Sequence, residues 1–259
     1  MIYKYYYCVF FCSCLIATLG LLISGCAGKK YTVAKVSVKY NEVNTQLDLD
    51  TEIERFLKPY KEHIASDLSQ VLSYNPQNLD KTNGNWQNGM TNFYADAILE
   101  IAQPIFKMRT GEKIDFCLLN YGGIRANIPQ GSITTKTAYD IMPFENSAVV
   151  LKITGETVYE LSDFIIKNKI AHPLSGIEIF VDKHQRIIKI LINGVALQKN
   201  QIYYVVTNNY LAQGGDRMSF FTKAIEEHPL DYKLRNMFIA YFNTIDTLKP
   251  SVKPRIIFE

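Results

Sequence analysis

The chain has 259 residues, with 28 lysines and arginines against 25 aspartates and glutamates, so its formal net charge is +3. Charges of both signs are interspersed, which excludes a basic nucleic-acid-binding stripe and a disordered acidic tail. The length is sufficient for one large domain or two small ones with a proper hydrophobic core.

Residues 1–25 predict an export signal. The segment 9–23 is apolar and shorter than the about 20 residues that a membrane-spanning helix needs. It leads into Ser-Gly-Cys at Cys26, followed by polar residues, which resembles the lipobox of bacterial lipoproteins. Cys26 is then the predicted lipidation site, and residues 30–259 are expected in the bacterial cell envelope, anchored by lipid to a membrane. An uncleaved transmembrane anchor is the alternative.

Cysteine usage agrees with export. Cys8, Cys12 and Cys14 lie in the signal segment and Cys26 would carry the lipid, so Cys117 would have no intramolecular disulfide partner. Cys117 lies in an apolar strand pattern, which predicts a buried, inert thiol.

The first predicted elements follow the signal segment. Residues 26–44 are predicted to be a tether with a first strand, and the folded domain is expected over 45–259. Apolar spacings of three and four predict an amphipathic helix over 49–72, which Pro59 would kink or split. After an Asn/Gly-rich loop, a second helix is predicted near 91–103, ended or bent by Pro104.

The remaining pattern interleaves helices and strands, with frequent hairpins. This favours an α+β fold with mixed sheets over a doubly wound fold. The further predicted elements are strand 114–119, extended piece 131–134, helix 135–141, strand 147–153, helix 155–168, hairpin 177–181 with 187–192, strand 202–207, helix 232–243 and strand 255–258.

Two glycine pairs are candidate binding segments. Gly122 and Gly123 stand just before Arg125, and Gly215 ends a second pair just before Asp216. Glycine lets the backbone approach a ligand closely, and a charged residue just beyond it can be fixed against that ligand. The two segments lie far apart in sequence, so only a fold can bring them together.

Taken in order, these segments and several others resemble the C-terminal, substrate-binding domain of the 5'-nucleotidase family. The resemblance covers roughly residues 45–250 and implies a four-layer α/β/β/α fold, in which helices cover paired mixed sheets. The matching segments are Pro59-Tyr60, Asn92–Ala97, Asn120–Arg125, Pro143–Asn146, Leu151–Gly155 and Tyr210–Asp216.

The resemblance implies a site for a nucleobase and its sugar. Phe144 and Tyr210 match two rings that sandwich the base, with tyrosine in place of the more usual phenylalanine. Asp216 matches the carboxylate that accepts hydrogen bonds from the ribose hydroxyls. Asn146 matches a polar contact near the base or the ribose.

The resemblance also implies a phosphate site. Asn120 and Arg125 match groups that face the phosphate, and a guanidinium suits oxyanion geometry. Many relatives carry a further arginine a few residues before the second helix, but residues 83–88 contain no basic residue here. Trp86 in this stretch is either an additional stacking residue or a packing anchor.

Complete family members begin with a metallophosphatase domain that binds two divalent metals. The four histidines of this chain, His63, His172, His184 and His228, lie on separate predicted elements at no ligand-like spacing. No metal and no cofactor are therefore predicted in this chain. The isolated Asp182–His184 motif is interpreted as a hairpin turn.

The sequence-level hypothesis is an exported lipoprotein that provides the nucleotide-recognition half of a split 5'-nucleotidase. A separate metallophosphatase chain would bring the metals and the water and would hydrolyse a nucleoside phosphate. One alternative is a non-catalytic surface lipoprotein that binds nucleosides or nucleotides. Another is a degenerate structural module without a ligand.

Overall fold

The computed structural model describes residues 6–7, 9–15, 31–44, 47–84 and 86–259. Residues 52–259 form one compact unit, and residues 1–51 are assigned to another. The predicted lipidation site Cys26 lies outside the described residues, as does most of the predicted signal segment. No helix in the described part of the chain is long and apolar enough to cross a membrane.

A first strand was predicted within residues 26–44, but residues 31–44, the described part of this segment, do not contain it. Residues 31–44 are exposed and contain neither helix nor strand. A run of β-branched residues forms a strand only where a partner strand and a buried face are present, and the pattern alone supplied neither.

Helices and strands are interleaved along the compact unit, with a run of five strands between Leu174 and Asn208. Short 3₁₀ turns at Tyr121–Gly123, Gly215–Arg217 and Ser219–Lys223 connect some of them. The elements are α1 (Thr51–Ser69), β1 (Val71–Asn75), α2 (Gly89–Thr110), β2 (Phe116–Leu118), β3 (Gly131–Thr134), α3 (Thr135–Ile141), β4 (Ser147–Thr154), α4 (Gly155–Asn168), β5 (Leu174–Ser175), β6 (Ile177–Val181), β7 (Ile187–Ile192), β8 (Val195–Ala196), β9 (Ile202–Asn208), α5 (Asn209–Ala212), β10 (Glu226–Lys233), α6 (Leu234–Thr244) and β11 (Ile256–Phe258).

The strands form two larger mixed sheets and one small sheet. The five-stranded sheet has the order β10-β4-β9-β2-β5, and the four-stranded sheet has the order β11-β6-β7-β8. Parallel pairs (β2 with β9, and β11 with β6) occur beside antiparallel ones in both. Strands β1 and β3 pair separately.

Two hydrophobic cores lie on opposite faces of the five-stranded sheet. Along β4, Ala148 and Val150 belong to one core, while Val149 and Leu151 belong to the other, because successive side chains of a strand alternate between faces. Helices α2, α3 and α6 contribute to the first core. Helix α4 and the four-stranded sheet contribute to the second. The predicted α+β fold with paired mixed sheets and covering helices is confirmed.

Helix α1 is present but is not a core helix. It runs through Pro59 without being split, and none of its residues is buried. Phe56 is 66% exposed and Ile64 is 57% exposed. The apolar spacing identified the side chains that share one face, but periodicity does not say what covers that face.

Helix α2 is longer than predicted at both ends. Asn88 caps it by accepting a hydrogen bond from the Thr91 backbone N–H at 2.9 Å, and the Thr91 hydroxyl accepts from the Asn88 N–H at 3.0 Å. The helix passes Pro104, so the predicted end near 103 is wrong. Phe106, beyond the proline, is buried in the first core, and packing there offsets the lost backbone bond.

Candidate functional site: a cavity at one edge of the five-stranded sheet

The strand order brings three distant loops to one sheet edge. Strands β2 and β9 pair in parallel, with Phe116 opposite Val205, so their carboxyl ends lie at the same edge. Strand β4 runs antiparallel to β9, with Ala148 opposite Asn208, so β4 begins at that edge as well. The loops after β2, before β4 and after β9 therefore meet, which unites the two glycine-pair segments.

A cavity of about 420 Å³ lies between these loops, within the size range of small-molecule sites. Phe144 is 40% exposed and Tyr210 is 44% exposed, so both rings keep surface open to a ligand, whereas Asn120 is buried. All the predicted substrate-binding residues except Gly215 line the cavity: Asn120, Gly122, Gly123, Arg125, Phe144, Asn146, Tyr210 and Asp216.

Gly215 lies against the Tyr210 ring. A Cβ atom at this position would stand 2.5 Å from both Cε1 and Cζ of Tyr210, a distance that real Cβ atoms do not show. The preceding Gly214 has a φ of 85°, which favours glycine. The second glycine pair therefore lets an aromatic ring rest directly on a backbone turn.

Asp216 is held by hydrogen bonds at both carboxylate oxygens. The Asn120 amide Nδ2 donates to Oδ2 at 2.7 Å, and the Tyr210 hydroxyl donates to Oδ1 at 3.0 Å. Behind Asn120, the Asn208 side-chain amide donates to the Asn120 Oδ1 at 3.4 Å. Asn120, which the resemblance assigned to phosphate, thus bonds the carboxylate that it assigned to ribose.

Arg125 lies beside the first of the two rings. Its guanidinium carbon stands 5.6 Å from the centre of the Phe144 ring, and one guanidinium nitrogen is 3.5 Å from the Gly122 carbonyl oxygen. The side chain is exposed. A cation is therefore placed at the rim of the cavity, close to one predicted stacking ring.

Lys81 is a second cation that the sequence interpretation missed. Its ammonium donates to the Ile124 carbonyl at 2.6 Å, one residue before Arg125. Burial, and then the charge of Arg125, lowers the pKa of Lys81. Lys81 could have been noticed in the sequence because it stands just ahead of residues 83–88, the stretch that contains no basic residue.

The loop that carries Phe144 is anchored to the junction of β10 and α6. Lys233 and Arg235 both donate hydrogen bonds to the Glu145 carboxylate, and Arg235 also donates to the Pro143 carbonyl at 3.3 Å. The hydrogen bonds from Lys233 and Arg235 lower the pKa of Glu145 to about 2. No local pattern could reveal these contacts, because the partners are remote in sequence.

A smaller hollow of about 210 Å³ adjoins the cavity on the far side of Asp216. His172 and Phe164 contribute to its lining. The His172 Nδ1 accepts a hydrogen bond from the Tyr121 N–H at 3.2 Å, and burial lowers the pKa of His172 to about 4. The imidazole is therefore a neutral, structural contact near pH 7.

The described residues contain no group of three or more His, Cys, Asp or Glu side chains that could hold a metal ion. The side chains of the described residues therefore do not fit a two-metal centre. Asp182 forms the predicted turn, since its carboxylate accepts from the N–H groups of His184 and Arg186 at 2.8 and 2.9 Å. Cys117 is buried as predicted, and burial raises the pKa of its thiol.

Trp86 does not line the cavity. Its ring packs on Phe258, with centroids 4.9 Å apart, and its indole N–H donates to the Ile166 carbonyl at 3.3 Å. Of the two interpretations of Trp86, the structure supports the packing anchor.

Known proteins are similar to this mixed-sheet, cavity-bearing domain in sequence and in fold. The chain is 28% identical over 232 residues to the trifunctional nucleotide phosphoesterase protein YfkN of Bacillus subtilis, covering 83% of this chain and 16% of that protein. It is 23% identical to a 5'-nucleotidase of Diplobatis ommata, covering 83% of this chain and 41% of that protein. The crystal structure of a 5'-nucleotidase precursor from Thermus thermophilus superposes with a TM-score of 0.66 at 22% identity, over 79% of this chain and 42% of that one.

Residues 64–223 match the family described as 5'-nucleotidase, C-terminal domain. The match covers more than half of the chain, and the chain belongs to this family. The chain spans less than half the length of each of the three relatives above.

Proposed function

We propose that this chain recognises a nucleoside phosphate in the cavity between Phe144 and Tyr210. The observation that carries the proposal is that these two rings line one cavity together with Asp216 and Arg125. In proteins that bind single-stranded nucleic acid, aromatic stacking of a base is worth about 1–3 kcal/mol per contact and tolerates different bases.

Each remaining group has a chemical task in this proposal. The Asp216 carboxylate accepts hydrogen bonds from ribose hydroxyls, and Asn146 contacts the base or the sugar. Arg125 binds phosphate oxygens, for which a planar guanidinium with several donors is suited. Lys81, whose ammonium lies close enough to Arg125 for the two charges to interact, adds positive charge beside this group.

In the same proposal, a separately encoded metallophosphatase supplies the divalent metals and the hydrolytic step. The relatives named above as phosphoesterase and 5'-nucleotidase extend well beyond the region that this chain matches. The described residues of this chain contain no group of side chains that could hold a metal ion, so the proposal takes the metals from outside them. Lipidation at Cys26 would anchor the chain in the cell envelope. This chain's part is to bind and orient the nucleotide.

Binding of adenosine and its monophosphate to the purified chain, measured by calorimetry, tests the recognition half of the proposal. Phe144→Ala and Tyr210→Ala should each weaken binding by about tenfold or more, the equivalent of one lost stacking contact. Tyr159→Ala is the matched control, because Tyr159 is exposed but lies outside the cavity. No binding by the wild-type chain would leave a structural module without a ligand. Equal binding by all variants would show that Phe144 and Tyr210 do not hold the ligand, and the proposed site would be wrong.

Hydrolysis tests the partner half. The chain should release no phosphate from adenosine monophosphate with divalent metal alone, and should raise the activity of the partner metallophosphatase when the two are mixed. Robust hydrolysis by the lone chain would refute the split enzyme. Tight nucleoside binding without any effect on a co-purified or genetically adjacent phosphatase would favour a non-catalytic binding lipoprotein.

A further inference from the structure

We propose that the Tyr210 hydroxyl sets how strongly this site selects ribose over deoxyribose. The proposal rests on the proposed function, in which the Tyr210 ring stacks on the base and Asp216 binds the sugar. The resemblance implies that phenylalanine is more usual at this position. The hydroxyl is therefore a feature whose effect a single substitution can isolate.

The first step concerns the hydrogen-bonding capacity of Asp216. An ionised carboxylate offers about four acceptor positions, two on each oxygen. Tyr210 occupies one position on Oδ1 and Asn120 occupies one on Oδ2. The two positions that remain, one on each oxygen, match the two donors of a ribose 2',3'-diol. A deoxyribose leaves one of them without a sugar partner, and sites built to bind a hydroxyl discriminate against analogues that lack it.

The second step concerns the backbone of Asp216. Asp216 has a φ of 51° and Arg217 has a φ of 64°, so two successive residues other than glycine lie in the left-handed region. Such conformations persist where the surroundings fix them. Here the Asp216 N–H donates to the Tyr210 hydroxyl oxygen at 3.1 Å, while the same hydroxyl donates to the Asp216 carboxylate. One hydroxyl thus bonds both the backbone and the side chain of Asp216.

The third step links sugar and base. Because the Tyr210 ring rests on Gly215 and its hydroxyl holds Asp216, the carboxylate has a fixed position relative to the ring plane. A base stacked on that ring then presents its ribose to an oriented carboxylate. Without the hydroxyl, the stacking face would remain, but the orientation of the carboxylate would depend on Asn120 alone.

The opposite side of the carboxylate is already rigid. Asn120 is buried and is held by Asn208, which also caps α5 by accepting from the Leu211 N–H at 2.9 Å. Tyr210, in contrast, is 44% exposed and sits at the cavity rim. The hydroxyl is therefore the part of the network that a conservative substitution can remove while the core stays intact.

The test is Tyr210→Phe in the full chain, with adenosine, 2'-deoxyadenosine, 3'-deoxyadenosine and adenine as calorimetric ligands. Adenosine affinity should fall about tenfold, because a carboxylate that Tyr210 no longer orients would lose one of its two hydrogen bonds to the ribose diol. The two deoxynucleosides should lose less than about threefold, and adenine should bind as before, so the ribose-to-deoxyribose ratio shrinks. Tyr159→Phe, which removes an exposed hydroxyl outside the cavity, should leave every affinity unchanged.

The outcomes separate this inference from the proposed function. If Tyr210→Phe binds nucleosides with the wild-type ribose-to-deoxyribose ratio, the inference is wrong while nucleoside recognition stands. An equal loss for adenine and adenosine would also overturn it, because the hydroxyl would then act on stacking rather than on the sugar. If the wild-type chain binds none of the four ligands, the proposed function fails and the inference fails with it.

Discussion

At the residue scale, Arg235 shows how a side chain outside the cavity can determine the shape of the cavity. It is 7% exposed and donates to the Glu145 carboxylate and to the Pro143 carbonyl, the residues on either side of Phe144. Its guanidinium carbon also lies 4.2 Å from the centre of the Tyr139 ring. These contacts fix the backbone on both sides of one predicted stacking ring.

We therefore expect Arg235→Ala to weaken adenosine binding by about tenfold, because displacing one ring forfeits much of a stacking contact worth about 1–3 kcal/mol. Calorimetry at pH 7 measures this loss. Arg109→Ala is the matched control, since Arg109 also donates to two backbone carbonyls, those of Pro229 and Leu230, but lies away from the cavity. Equal effects of the two variants would mean that the loss of Arg235 acts through general stability alone.

The contribution to stability of the Glu145 carboxylate, which Lys233 and Arg235 bind, depends on pH in a defined way. Because the pKa of Glu145 is lowered to about 2 from 4.5, its contribution to stability is complete above pH 4.5 and is lost as the pH falls towards 2. Nucleoside binding at neutral pH should therefore not vary with the protonation of Glu145.

At the element scale, helices and strands with a regular apolar periodicity were predicted from the sequence, and several elements without such a periodicity were not. Helix α3, helix α4 and the β6–β7 hairpin have the predicted bounds. Strand β10 was missed because it is an edge strand with Pro229 inside and a left-handed Asp231, and it buries little apart from Leu230. Its pairing with β4 becomes visible only in three dimensions.

Helix α1 gives the element-scale prediction. Because Phe56 and Ile64 are mostly exposed, replacing both with serine should change the free energy of unfolding by less than about 0.5 kcal/mol per site. Phe106→Ala in α2, which removes a fully buried ring, should cost about 3–5 kcal/mol. Urea denaturation of the three chains measures both. A loss above about 2 kcal/mol for the α1 variant would show that its apolar face is packed in solution.

At the scale of the whole molecule, topology explains why the site could be predicted only in part. The resemblance identified the residues on the three loops, and the parallel pairing of β2 with β9 then brought them together. The bonds that orient them, such as Tyr210 to Asp216 and Arg235 to Glu145, depend on side-chain geometry that spacing does not encode. Lys81 stands just ahead of residues 83–88 in the sequence, but only the folded chain shows that it lies beside Arg125.

The folded molecule should also carry a stability term that depends on His172. Burial lowers its pKa from 6.5 to about 4, and the neighbouring Asp216 charge opposes this only partly. Between these two pH values the unfolded chain binds more protons than the folded one, so the free energy of unfolding rises with pH. The contribution is complete above pH 6.5 and is lost as the pH falls to 4, with a magnitude of about 3 kcal/mol.

His172→Asn removes this term, so the difference in unfolding free energy between wild type and variant should shrink by about 3 kcal/mol from pH 7 to pH 4. Taking the difference cancels the carboxylates that titrate in both chains, including Asp96, whose pKa burial raises. Urea denaturation at several pH values gives the curve, and His63→Asn, at an exposed position, should follow wild type. A difference that stays constant with pH would show that the buried imidazole gains a proton as readily in the folded chain as in the unfolded one.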